Sequence, residues 1–409
     1  MRILFVTPYV PSLIRVRPFN FIKQLSRRHD VVLVALAHDE RDIEAADRIG
    51  EYCEKVHLIH HSRLRSLLNC CIRLVTKMPL QAAYTLSSPA RKSIFELTKD
   101  GGFDVLHVEH IRGALLADDA KDLPRVYDSV DCITRLLKLR VAQEKKFIRR
   151  MLNREELLKM RSFEPKVVSE FDSTVITSER DRKTLECLRR RFNPQEESSG
   201  IHVIPNGVDS AYFSPCKTDQ VRPGSIVFSG KMSYFANVDA VLRFYREIFP
   251  RIRRARPNAR FKIVGSNPPD SIQKLTRYPA IEVTGHVPDI RPHLASAEVV
   301  VCPLTVGVGI QNKVLEAMSM GKPVVATSIA CNGIPDAVHG WHLIRANEAG
   351  EIGESVLRIM DSPDFGIQLG QRARQLVVDR YSWEAAAQQL EAVHAGAIDA
   401  YWSRIPIAA

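Results

Sequence analysis

Residues 306–327 read VGVGIQNKVLEAMSMGKPVVAT, a glycine turn, a helix and a strand in succession. Gly307 and Gly309 permit close backbone approach, the run from Gln311 has helical period, and KPVVAT is a β-branched strand behind a glycine break. A helix opening behind glycines offers unpaired N–H groups and the positive end of its dipole. Gly307, Gly309, Ile310 and Gln311 therefore form a candidate anion site built from backbone. Lys313 and Glu316 are three apart and share a helix face. A lysine can pair with phosphate, and a carboxylate can accept two hydrogen bonds from a ribose diol. An ordinary i,i+3 surface salt pair fits the same spacing equally well.

The pattern continues outward. SIVFSG, RFKIVG, IEVTG and EVVVCP precede this stretch as further strands, and three of them run into Gly230, Gly265 and Gly285. Strands alternating with helices predict a parallel sheet, whose ligands bind outside the carboxyl ends of the strands. Toward the amino terminus RILFVT, DVVLVAL, VHLIH, DVLHV, RVYDS and STVIT repeat the alternation, and IHVIP follows them. The expected fold class is α/β, with two Rossmann-like, doubly wound domains facing a central cleft. The 409 residues fit two cores better than one. The expected boundaries are 1–198 and 199–385, with the polar run NPQEESSG as linker, and residues 386–409 forming a helix that packs back on the first domain.

Composition excludes several classes. Hydrophobic residues make up 45% and charged residues 26%, which is globular and neither disordered nor fibrous. No apolar run is long enough to span a bilayer, and the first strand lacks the flanks of a secretory signal. Eight scattered cysteines without C-x-x-C spacing argue against zinc and for reduced, mostly buried thiols in the cytosol. The net charge is +11, and residues 1–200 hold 36 basic against 28 acidic side chains, so +8 of the excess lies there. That charge admits nucleic acid, a membrane surface or a phosphorylated substrate. Without an aromatic-interleaved basic motif, nucleic acid is excluded as a partner.

The run K-x-L-E-A-M-x-x-G-x-P-V-V resembles the signature of family 4 glycosyltransferases, retaining enzymes of the GT-B fold. IPNGVD, FSGKMSYFANVDAVL, FKIVG, VTGHVPDIRPHLASAEVVVCPL and YSWE support it strongly after Ile201, and MRILFVTPY, FDVLHVEH and FDSTVITSERD more loosely before. S-Y-x-x-N-V-D-A-V is similar to a bacterial branch tied to exopolysaccharide assembly. The resemblance implies that Glu316 binds the ribose hydroxyls of a nucleotide-diphosphate sugar. It also implies that Lys231, after Gly230, takes the place of a diphosphate-binding arginine, and that the Val287 backbone reads the base. The family's first glutamate falls on Val308, its second diphosphate cation on about Ala236, and its histidine on Val130. Lys313 is the expected electrostatic substitute for the missing cation. Candidates facing the acceptor are Asp131, Glu109 and His110 at strand ends, with Arg15 and Arg17 set against a phosphate.

No D-x-D occurs, which suits a transfer needing neither metal nor cofactor, with the nucleotide-diphosphate sugar as donor substrate. The acceptor implied is lipid-linked or an oligosaccharide, at the inner face of the cytoplasmic membrane. Two other readings share the motifs: a silent sugar-nucleotide-binding scaffold, and a sugar-nucleotide epimerase. Residues 62–78, SRLRSLLNCCIRLVTKM, place Leu64, Leu67, Leu68, Cys71, Ile72 and Val75 on one helical stripe among basic residues. The ordinary expectation is that this stripe packs on the sheet. The other is peripheral contact with an anionic membrane.

Overall fold

The computed structural model describes residues 1–144, 146–193, 200–215, 221–306 and 310–404. The chain divides into two compact units, residues 1–205 with 386–409, and residues 206–385. In the first, β1 (Arg2–Thr7), β2 (Asp30–Ala37), β3 (Lys55–His60), β4 (Val105–Glu109), β5 (Arg125–Val130), β6 (Ser173–Ile176) and β7 (Gly200–Val203) form one sheet in the order β3-β2-β1-β4-β5-β6-β7. The second holds β8 (Ser225–Ser229), β9 (Arg260–Val264), β10 (Ile281–Val283), β11 (Val299–Cys302), β12 (Val324–Ala326) and β13 (Ile344–Arg345), ordered β10-β9-β8-β11-β12-β13. Every pairing is parallel.

Parallel strands covered on both faces are apolar almost throughout, which is why residues 3–6 and VVVC carry no alternation and are buried. The boundary falls after Pro205, not at residue 198, because β7 hydrogen-bonds to β6 and so completes the first sheet. Most of the NPQEESSG run lies outside the described residues. β13, two residues long, is too short to show as a sequence pattern.

Helices used below are α1 (Val16–Leu25), α2 (Arg63–Arg73), α3 (Ile133–Gln143), α4 (Phe147–Glu170), α5 (Phe235–Arg243), α6 (Asn312–Ser319) and α7 (Trp383–Trp402). None of the described helices is long and apolar enough to cross a membrane. Among the described cysteines all are unpaired. Cys132, Cys302 and Cys331 are buried, but Cys71 and Cys187 are exposed, so the expectation of mostly buried thiols is too strong.

From residue 386 onward α7 belongs to the first unit. His394 Nε2 meets His107 Nδ1 at 3.0 Å, both rings are buried, and Glu391 receives three hydrogen bonds from Arg28. Burial pushes His107 down to about 3, with the Arg17 charge adding to it, and holds His394 well below its ordinary range. At two strand ends the backbone enters the left-handed region at non-glycine residues, His110 (φ 65°) and Val130 (φ 63°). A β-branched residue there is strained by about 1–2 kcal/mol.

Two outcomes are expected. A folded-state histidine pKa below the unfolded value means that stability is lost as pH falls from about 6.5 toward 3. The double variant His107→Phe/His394→Leu should lose less of its thermal midpoint between pH 7.5 and 5 than the natural chain does. Val130→Gly should leave the midpoint unchanged or raise it, since relief of strain offsets the roughly 0.5–1 kcal/mol entropic cost of glycine. A drop beyond about 4 °C would show that Val130 packing outweighs the strain.

Candidate functional site

In the second unit β8 delivers Ser229 and Gly230 to the carboxyl edge of the sheet, next to Gly265 at the end of β9. The two backbones nearly touch. A Cβ on Gly265 would stand 1.8 Å from the Gly230 carbonyl oxygen, and one on Gly230 would stand 3.0 Å from Lys313 Nζ. Glycine at both positions follows from that crowding.

Lys313, in the first turn of α6, therefore reaches the end of β8. Its ammonium donates to Asn237 Oδ1, and Asn237 Nδ2 in turn donates to the Lys231 carbonyl at 2.8 Å. The ammonium also lies 4.8 Å from the centre of the Phe228 ring, a cation–π contact. Burial lowers the Lys313 pKa, opposed by Cys302 and Glu316. Burial also pushes the Glu316 carboxyl up to about 7, opposed by Lys313. Among the described residues no ion pair joins Lys313 to Glu316, so the surface-pair reading of their spacing fails. Thr305 Oγ1 donates to Asp239 Oδ2 at 2.7 Å, tying the segment after β11 to α5.

Several expected residues come together here: Gly230, Gly265 and Lys313, with Glu316 one turn along α6. Ile310 is buried and Gln311 caps α6 with backbone only. Lys231 places its side chain in solvent, and only its carbonyl is held in the network. Val287 packs its side chain against the core. Gly307, Val308 and Gly309 lie outside the described residues. Ala236 is buried beside Asn237, which the sequence reading overlooked although N-V-D-A-V was in view. Asn312 was also missed, and its buried Oδ1 has no hydrogen-bond partner among the described residues. A groove of about 750 Å³ lined by Tyr245, Arg253 and Tyr278 lies instead at the amino ends of β9 and β10, remote from this chemistry.

The first unit gathers charge at the ends of β1, β4 and β5. Arg17 is buried, with Nε 2.7 Å from Asp128 Oδ2 and Nη1 donating to the Ile204 carbonyl. The expectation that Arg17 faces a phosphate is therefore corrected: a guanidinium committed to a buried carboxylate is structural. Arg15 is partly exposed, stacked over Tyr9 and 3.3 Å from Asp42. Tyr9 donates to Glu109 Oε1 at 3.0 Å. Burial and the Asp128 charge push Glu109 up to about 8, and its buried Oε2 has no partner among the described residues. Burial and Asp181 push Asp131 up to about 6, and Thr177 Oγ1 lies 3.4 Å from it. Burial pushes His110 down to about 3, while its Nδ1 accepts the Arg112 N–H. His110 is thus neutral and held by its own turn, a poor general base near neutral pH.

Residues 223–362 match a family model described as Glycosyl transferases group 1. Over 211 residues the chain is 26% identical to MMP alpha-(1->4)-mannosyltransferase of Mycolicibacterium hassiacum, covering 48% of this chain and 49% of that one. It is 22% identical over 254 residues to lipopolysaccharide 1,2-N-acetylglucosaminetransferase of Salmonella typhimurium, covering 56% and 64%. The chain spans about half the length of the first curated relatives it matches. Among solved structures, Anabaena HepE in complex with UDP superposes at a TM-score of 0.68 with 13% identity, over 97% of this chain and 100% of that one. Sucrose-phosphate synthase from Thermosynechococcus elongatus does so at 0.68 with 14% identity, over 98% and 100%. At such identities the likeness concerns the fold alone. The chain has the GT-B fold, and within its second unit residues 223–362 match the glycosyl transferases group 1 model.

Proposed function

We propose that the chain is a glycosyltransferase that moves a sugar from a nucleotide-diphosphate sugar to a lipid-linked or glycan acceptor. The observation that carries this is Lys313, held at the carboxyl edge of the second sheet by Asn237 beside Gly230, with Glu316 one turn behind it. Breaking a sugar–phosphate bond develops negative charge on the departing diphosphate. A fixed ammonium and the amino end of α6 stabilise that charge without reorganising, a contribution worth about 2.7–4 kcal/mol per well-placed donor. Glu316 accepts the ribose diol once ionised. Because the chain supplies this positive charge itself, the transfer is read as metal-independent, and by family resemblance as retaining.

The relatives' names agree on sugar transfer and differ in sugar and acceptor, which supports the reaction class and leaves the donor base open. The Salmonella relative's name, a lipopolysaccharide transferase, supports an envelope glycan as acceptor; exopolysaccharide assembly and a place in the cytoplasm against the inner face of the membrane belong to the same proposal. Val130, strained where the family has its histidine, favours a second reading as a sugar-nucleotide-binding protein without turnover.

A thermal-shift panel of UDP-, GDP-, ADP- and CMP-sugars should give one donor that raises the midpoint, since ligand stabilises by mass action. Lys313→Met and Glu316→Gln should each lose most of that shift. In a coupled nucleotide-release assay, Lys313→Met should lower kcat by about 10²–10³. No shift with any donor would sink the donor-site assignment, and binding without release would select the second reading. The Glu316 value also sets a pH dependence. A carboxyl raised to about 7 is protonated below that pH, so affinity for the nucleotide sugar should weaken about tenfold from pH 8 to 6. Calorimetric titration of Glu316→Gln should show no such slope.

A further inference from the structure

Helix α2 is packed with its faces reversed relative to an ordinary surface helix. Its inward side is polar or small: Ser66 is buried, Asn69 Nδ2 donates to the Leu86 carbonyl at 2.9 Å, and Cys70 Sγ lies 3.6 Å from the Leu80 carbonyl. The stripe of Leu64, Leu67, Leu68 and Ile72 points outward, with Leu64 80% exposed, and Val75 just beyond the helix is 93% exposed. The expectation that this stripe packs on the sheet is overturned. An amphipathic helix normally does the opposite.

The same unit has a second apolar face. The first two turns of α4 bury nothing before Glu156, and they present Phe147, Ile148, Met151 and Leu152 on one side, with Phe147 75% and Ile148 73% exposed. Lys159 Nζ donates to the Leu74 carbonyl at 2.7 Å, and the Glu156 carboxylate accepts the N–H groups of Leu80 and Gln81. These bonds fasten the middle of α4 to the segment that follows α2.

The charge around both faces is predominantly basic. Between Glu54 and Glu96 the chain has seven Lys or Arg and no acidic residue, and residues 145–154 add five more, again without an acidic one. Of the nearby carboxylates, Asp39 is paired with Arg63 and Glu155 with Lys159.

We propose that α2 and the start of α4 form a docking surface for an anionic lipid bilayer. The leucines and Phe147 enter the headgroup–acyl boundary, and the flanking arginines meet the lipid phosphates. Each basic residue near an anionic headgroup raises partitioning about fivefold. The surface lies wholly in the first unit. It extends the lipid-linked acceptor reading, yet vesicle binding requires no sugar transfer, so the two can fail separately.

The full chain is sedimented with vesicles of phosphatidylcholine alone or mixed with phosphatidylglycerol. Binding should be at least about tenfold stronger to the anionic vesicles and should weaken as salt rises. Leu67→Ser/Leu68→Ser and Phe147→Ser/Ile148→Ser should each reduce binding about tenfold with an unchanged thermal midpoint, since all four side chains are exposed. Arg149→Glu/Arg150→Glu should abolish the preference for anionic lipid. An environment-sensitive fluorophore coupled to Met151→Cys should shift blue on anionic vesicles, with Met151→Cys/Leu67→Ser/Leu68→Ser shifting less. Absence of binding, binding indifferent to the leucine and Phe147 variants, or self-association of the chain through this face without vesicle binding would each overturn the proposal.

Discussion

The candidate site of the second unit is organised around the part-buried ammonium of Lys313. Lys313 fits closely against the end of β8, where position 230 carries no side chain, and Asn237 supplies an oxygen that replaces solvent. Asn237 also holds the Lys231 carbonyl, so the same amide sets the turn after β8 and the cation beside it. The interaction links three elements distant in sequence, β8, α5 and α6. A desolvated lysine this close to a helix amino end makes the sheet edge a place for an anion, and it raises the cost of leaving that anion out.

The first unit uses its charges differently. Arg17 and Asp128 neutralise one another inside the fold, and Glu109 is held in its protonated form near neutral pH by burial and by Asp128. Such pairs contribute little net stability, because desolvation offsets attraction. What they do is fix the ends of β1, β4 and β5 in position, next to the left-handed turns at His110 and Val130. The basic excess of this half thus separates into two kinds: a few buried arginines that hold strand ends, and many exposed ones around α2 and α4.

The strands were legible because their chemistry is local. A parallel strand covered on both faces reads as a near-continuous apolar run, and ILFV, IVF and VVVC show that without any partner in view. The glycines at 230, 265 and 285 marked the sheet edge for the same reason. Lys313 and Glu316 were legible as a pair on one helix face. Which of them would point into the site was not, because the ordinary outcome of that spacing is a surface pair. Asn237 escaped notice since an asparagine in a helix has no pattern of its own, and its role exists only when β8 and α6 are brought beside it.

Arg17 and α2 show the limit most plainly. Two arginines behind a first strand look alike in sequence, yet Arg17 turns inward to Asp128, 111 positions away, while Arg15 stays partly in water. The period of residues 62–78 defined an apolar stripe correctly and said nothing of its direction, since a helix can be rotated to present either face. The sequence alone therefore determined the α/β class, the two units and the chemistry available at the second sheet edge, because those follow from periodicity and backbone freedom. Only the tertiary structure decided which charges are buried in pairs, which ammonium is desolvated, and that the leucines of α2 face outward. Each of these depends on contacts between segments that no local pattern encodes.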